Sequence, residues 1–170
     1  TSKLNRLENF IREFEIDGKD YYFVTKEQFQ AEIKKGNLLE HAKFVNNYYG
    51  TPKDKVMEKL EEGKEVVLEI EVQGAMQVKA KMPDAVFIFI APPSYKALEA
   101  RLVNRGTETS DVILERLNKA RNEIMFASSY DYIVVNDEVE NAVDKIIAII
   151  RAEHAKTNRA LERYYKLMEE

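Results

Sequence analysis

The segment Ala85-Val86-Phe87-Ile88-Phe89-Ile90-Ala91 is apolar at every position. A strand with one wet face alternates apolar and polar side chains. Unbroken apolarity belongs instead to a strand covered on both faces, as in a parallel sheet flanked by helices. Three further runs read as strands: Tyr21-Tyr22-Phe23-Val24, Glu65 to Val72, and Tyr132 to Val135. Between them the helix punctuation is dense. Thr25 with Gln28 three residues on makes a capping-box pattern, and Gly36 stops a helix carrying Phe29 and Ile33. Thr51-Pro52 places a cap and then a proline at the first helical position, with Gly63 as the stop. Ser94 caps a helix with Leu98 and Leu102 that ends at Gly106. Thr109 caps another, striped by Val112, Ile113, Leu117 and Ile124. Asp137 caps a long final helix in which Val143, Ile146, Ile147 and Ile150 recur at helical spacing. Ser2 would cap a short helix with Leu4, Leu7 and Ile11 on one side. Alternating strands and helices predict an α/β domain.

The rest of the chain sets bounds on that domain. Its 170 residues suffice for one buried core, and domains of this size usually stay single. Hydrophobic residues make up 45% and charged residues 33%, values of a globular protein. The net charge of -4 gives no general attraction for nucleic acid or an acidic membrane, so any anion site must come from local grouping of basic side chains. The absence of cysteine excludes disulfides and thiolate zinc sites, and His41 and His154 lie too far apart in sequence to suggest a histidine-rich metal centre. The longest apolar run, Ala85 to Ala91, is too short to span a bilayer, and no basic segment followed by an apolar one opens the chain. A cytoplasmic protein, monomeric or homodimeric, is the expectation.

Five clusters carry chemistry. Arg12-Glu13-Phe14-Glu15-Ile16-Asp17-Gly18-Lys19-Asp20-Tyr21 contains a turn signal and leaves Arg12 on the arm before the Tyr21 strand. Taken alone it is a surface hairpin with one solvated arginine. The second cluster is Leu39-Glu40-His41-Ala42 with Asn46-Asn47-Tyr48-Tyr49-Gly50-Thr51-Pro52. Adjacent tyrosines on an extended chain point to opposite sides, so one packs and the other offers its hydroxyl. An ionised Glu40 accepts two hydrogen bonds side by side. That is the complement of the N1–H and N2-amino edge of guanine, which adenine lacks; a salt-bridged surface glutamate is the competing reading.

In Leu68-Glu69-Ile70-Glu71-Val72-Gln73-Gly74, alternation puts Glu69 and Glu71 on one side of a strand. Two carboxylates at the carboxyl end of a buried strand call for donors or a hydrated cation, while an edge strand with one wet face fits equally well. Next come Ala91-Pro92-Pro93-Ser94, Arg101, Arg105-Gly106-Thr107-Glu108-Thr109 and Arg116. Arg101 and Arg105 share a helix face, and Arg116 returns on the following helix. Three guanidiniums could converge on phosphates, and a solvated helix face is the alternative. Last, Tyr132-Ile133-Val134-Val135-Asn136-Asp137 could present Asn136 to a ligand at the end of a strand, or Asp137 could simply cap the helix that follows.

In this order and at these separations the clusters resemble the guanylate kinases. Asn-Tyr-Tyr-Gly-Thr, Glu-Ile-Glu-Val-Gln-Gly, Phe-Ile-Ala-Pro-Pro-Ser, Arg-Gly-Thr-Glu and Val-Val-Asn-Asp carry the resemblance, which runs from about Arg12 to beyond His154 and is closer to the bacterial enzymes than to the kinase-like scaffold domains. It implies a P-loop nucleoside-monophosphate-kinase fold with a GMP-binding arm at 12–54, a core at 55–94 and 128–170, and a helical lid at 95–127. It further implies that Arg12 and Tyr21 hold the GMP phosphate, with Tyr49 in contact. Glu40, Gly50 and Thr51 would form the guanine site, and Glu69 and Glu71 would line the GMP and magnesium side. Arg12, Arg105 and Arg116 would stabilise the transferring phosphoryl; Arg101, Asn136 and Asp137 would serve ATP. No residue is assigned to Mg2+ as a dedicated ligand. One departure is plain: G-x-x-x-x-G-K-[ST], the phosphate-loop signature of the family, does not occur in these 170 residues, and Asn9 stands where the family carries an arginine ahead of Arg12. By itself such a chain is expected to transfer phosphate poorly, and a non-catalytic guanylate-kinase-like interaction module is the alternative function.

Overall fold

The computed structural model describes residues 4–7, 21–44, 47–104 and 110–169. The chain forms two compact units, Thr1–Ala85 and Val86–Glu170. In the first, β1 (Leu4–Leu7), β2 (Tyr21–Val24), β3 (Leu38–Phe44) and β4 (Asn47–Pro52) make one sheet in the order β2-β1-β4-β3. β1 runs parallel to β2 and antiparallel to β4, and β3 is antiparallel to β4. The helix expected from Leu4 to Ile11 is therefore not formed over 4–7. Four residues cannot sustain a helix alone, whereas both edges of β1 find strand partners.

Helix α1 (Lys26–Lys35) starts and stops where the punctuation says. Thr25 Oγ1 accepts from the Gln28 amide, Gln28 Oε1 accepts from the Thr25 amide, and Gly36 closes the helix at φ 71. Its Phe29 is buried with Leu38 and Leu39 of β3, each such side chain contributing about 2 kcal/mol on leaving water. Helix α2 (Lys53–Glu61) corrects a cap: Pro52, not Thr51, precedes the helix, because the Thr51 hydroxyl is committed elsewhere. The stretch expected as a strand from Glu65 to Val72 keeps its alternation, with Val66, Leu68 and Ile70 half-buried and Glu65, Val67, Glu69 and Glu71 exposed. It joins no ladder among the described residues, so it is extended chain rather than strand, and it turns into helix α3 (Val72–Lys81).

In the second unit, β5 (Ile88–Ala91) and β6 (Tyr132–Val135) pair in parallel, as continuous apolarity predicts. Phe87, Phe89 and Val134 are buried, but Ile90 and Ile133 are exposed. Phe89 is paired with Ile133 and Ile90 with Val134, so each face of this pair carries one covered and one open side chain. Ser94 caps α4 (Tyr95–Asn104) by accepting from the Ala97 amide at 3.1 Å. The side chain of Arg121 on α5 (Ser110–Ile124) lies 5.3 Å from the centre of the Tyr95 ring. The proposed Thr109 cap and Gly106 stop lie outside the described residues, as do Ser2 and the Asp17-Gly18 turn. Asp137 does not cap α6 (Val139–Ala155): its Oδ1 accepts from the adjacent Glu138 amide, and Glu138 holds the cap position without a side-chain bond. The long final helix breaks at extended Lys156 and resumes as α7 (Thr157–Met168).

Candidate functional site

Among the described residues of the first unit two polar side chains are buried: Glu40 on β3, 3% exposed, and Thr51 on β4, 0% exposed. A bulge brings them together. Leu38 faces Pro52, so an unbroken ladder would set Leu39 opposite Thr51; the register shifts by one residue and Glu40 takes that place. Because side chains alternate across a strand, this one-residue slip decides whether a carboxylate or a leucine meets the threonine. Thr51 Oγ1 donates to Glu40 Oε1 at 2.7 Å. On the other side, α3 comes so close that a Cβ on Gly74 would stand 2.8 Å from Glu40 Oε2. Only glycine leaves the carboxylate its place.

Burial pushes the Glu40 carboxyl above the ordinary carboxylate range, and the nearby charge of Glu71 adds to this. The Thr51 hydroxyl and amide and the charge of Lys81 act in the opposite direction. The ionised group thus has one oxygen engaged by a neutral donor and retains acceptor capacity on both.

The neighbouring aromatic residues divide as the alternation requires. Tyr48 packs on Phe29, ring centres 5.7 Å apart, while Tyr49 meets Tyr21 of β2 edge-on at 6.4 Å. Tyr21, Tyr49, Glu40 and Thr51 are thereby gathered on one sheet. Gly50 sits between them for a packing reason: a Cβ there would lie 2.9 Å from the Glu40 carbonyl oxygen and from Leu38 Cδ1. Glu69 and Glu71 are exposed, Glu71 at the cap position of α3. A cavity of about 400 Å³ shares Thr51 but is walled by Tyr22, Pro52, Lys55, Val56 and Lys59. Glu40 does not line it, and the chemistry of the carboxylate locates the site better than the size of that void.

In the second unit the three residues expected on the ATP side converge. The Arg101 guanidinium donates to the carbonyl oxygens of Asn136, at 2.9 Å, and Asp137, at 3.1 Å. The Asp137 carboxyl is held below its ordinary range, chiefly by the bond from the Glu138 amide, with Lys145 assisting. Arg116 lies on α5, half-buried. Arg12 and Arg105 lie outside the described residues.

A family model described as guanylate kinase matches residues 6–153. The guanylate kinase of Oceanobacillus iheyensis is 54% identical over 156 residues, 92% of this chain and 76% of that protein. The chain belongs to the guanylate kinase family. Aster yellows witches'-broom phytoplasma has a guanylate kinase 56% identical over 157 residues, covering 92% of this chain and 74% of the relative. The crystal structure of guanylate kinase from Anaplasma phagocytophilum superposes with a TM-score of 0.75 at 35% identity, covering 93% of this chain and 77% of that one. Identities this high to guanylate kinases favour the enzyme over the interaction module.

Sequence reasoning missed α3 and with it Gly74, Gln77 and Lys81. Their signal was present: Ala75 and Val78 stand three apart, with Pro83 just beyond the helix end. Reading 65–72 as a strand obscured it. For magnesium, the described residues contain no group of three or more candidate ligands. They do not by themselves fit a resident metal site, and none is assigned to one.

Proposed function

We propose that the buried Glu40–Thr51 pair is the guanine reader of this chain. As a member of the family the chain is an ATP:GMP phosphotransferase, moving a phosphoryl group reversibly from ATP to GMP to give ADP and GDP. The observation that carries the residue assignment is the 2.7 Å bond from Thr51 to Glu40 between two buried side chains. It orients a carboxylate whose remaining lone pairs match the paired N1–H and N2-amino donors of guanine, and a base without that pair leaves a buried acceptor unmet. Tyr21 and Tyr49, with Arg12, would bind the GMP phosphate; Gly50 lets the strands approach; Glu69 and Glu71 would face the phosphate side.

On the donor side Arg101, Asn136 and Asp137 would serve ATP, and Arg105 and Arg116, together with Arg12, would stabilise the transferring group. Phosphoryl transfer asks the protein for alignment and charge neutralisation rather than covalent chemistry. Division into an arm at 12–54, a core at 55–94 and 128–170 and a lid at 95–127 follows from these roles, with lid closure excluding water as the competing acceptor. Magnesium would arrive as the complex of ATP, since it binds largely through phosphates and its own waters. No helix among the described residues is long and apolar enough to cross a membrane; a cytoplasmic place in purine nucleotide metabolism is inferred.

Calorimetric titration with GMP tests the guanine assignment. The native chain binds saturably and Glu40→Gln does not; equal binding by both would remove Glu40 from the site. In a coupled assay, Arg105→Ala lowers turnover by orders of magnitude while GMP affinity stays within about twofold. Unchanged turnover would remove Arg105 from the mechanism.

A further inference from the structure

β3 lies at the end of the four-stranded sheet, so among the described residues the backbone groups on its outer edge have no strand to pair with. Two side chains of α3, four residues apart on one helix face, take that place. Gln77 Oε1 accepts from the His41 amide at 3.2 Å, and Gln77 Nε2 donates to the His41 carbonyl at 2.9 Å, a reciprocal pair that imitates a strand. One turn on, Lys81 Nζ donates to the carbonyl oxygens of Leu38, at 2.8 Å, and Leu39, at 2.9 Å. These carbonyls belong to the bulge that shifts the register and sets Glu40 opposite Thr51. Lys81 and Gln77 therefore bracket Glu40 on the chain, one on each side.

We propose that Lys81, assisted by Gln77, is a positioning residue for nucleotide selection, fixing the bulge that aims Glu40 at the base. Three observations meet here. The Lys81 bonds fall on the carbonyls of the two residues that precede Glu40, at the bulge itself. Gly74, on the same helix, brings α3 into contact with the carboxylate, so movement of the helix moves the site. Among the described residues two charged side chains of opposite sign act on Glu40, Lys81 in the last turn of α3 and Glu71 at the cap position before its start. β4 adds the neutral hydroxyl and amide of Thr51. Lys81 also sits in the last turn of α3, where a cation is favoured by the helix dipole. The inference rests on Glu40 as guanine reader and adds what holds it in register.

The test is calorimetric titration of GMP and IMP into the folded chain and its variants from about pH 5.5 to 8.5, a range chosen to span carboxylate titrations raised by burial. Lys81→Met should weaken GMP binding about tenfold near neutral pH, reduce the preference for GMP over IMP, and move the acid loss of affinity to higher pH. Lys81→Arg, which keeps charge and donors, should restore all three. Lys81→Gln, which keeps a donor without the charge, should show the shifted acid limb with affinity retained at the alkaline end, and it carries the test if the methionine variant does not fold. Wild-type affinity, preference and pH profile in the methionine or glutamine variant would overturn the proposal, as would a lower melting temperature with unchanged GMP binding. Glu40→Gln in the same series separates the two claims. If it binds GMP normally the guanine reading itself falls; if it loses GMP while Lys81→Met does not, only the role of Lys81 falls.

Discussion

Among the described residues two glutamates are buried, one in each unit, and they are held in opposite ways. Glu153 on α6 is 4% exposed, about as dry as Glu40 at 3%. Yet Lys156 Nζ stands 2.6 Å from its Oε1, Arg159 Nε 3.4 Å from its Oε2, and the Tyr132 hydroxyl donates to it. The Lys156 ammonium, followed by the Tyr132 hydroxyl, holds its carboxyl below the ordinary range. Both of its oxygens are engaged in closing the corner between α6 and α7 and tying it to β6. Glu40 has a neutral donor on one oxygen, a bare helix backbone beside the other, and a carboxyl raised by burial. A buried carboxylate whose charge is fully answered by its own chain is structural; one left incompletely answered is a place for a ligand to finish.

Substitutions sharpen that contrast, beginning with the largest expected effect. Glu40→Gln should cost about a hundredfold or more in GMP affinity, because the amide offers guanine a donor where it needs an acceptor. The same change should raise the melting temperature near neutral pH. A carboxyl whose pKa is raised by folding contributes stability that is full below its ordinary range and lost as pH rises through the raised value, so at neutrality Glu40 is a cost to the fold. The gain from glutamine should shrink as the pH is lowered towards about 4. Thr51→Val, measured by the same titration, should weaken GMP about tenfold by removing the donor that orients Glu40.

Gly74→Ala should lower GMP affinity several-fold with little change in melting temperature. The new Cβ displaces the Glu40 carboxylate, while alanine regains about 1 kcal/mol of helix propensity. Glu153→Gln should leave GMP affinity within about twofold and lower the melting temperature by a few degrees. Here the sign reverses: a lowered pKa contributes stability that is present above the ordinary range and lost as pH falls through the folded value. The deficit should therefore close in acid. If melts of Glu40→Gln and Glu153→Gln changed in the same direction at neutral pH, the contrast between the two carboxylates would be broken.

The local elements of this fold were legible because their signals are local. Thr25, Gln28, Gly36 and Ser94 do what their types and spacing say, and the parallel β5–β6 pair follows from uninterrupted apolarity. Two of the misreadings arose where residues had distant partners. Thr51 resembles a helix cap in sequence, but its hydroxyl goes to a carboxylate eleven positions away in the chain. Residues 4–7 carry helical spacing, but strands on either side claim their backbone. Glu40 could be singled out by type, whereas the bulge that aims it depends on side chains of a helix some forty residues later, which no local pattern announces.

The most direct measurement is a crystal structure of the chain with GMP bound. The account predicts the base lying against the face shared by β3 and β4, with N1–H and the N2-amino group donating to the two oxygens of Glu40 while Thr51 retains its bond to Oε1. A base bound elsewhere, or a Glu40 carboxylate turned away from it, would contradict the account.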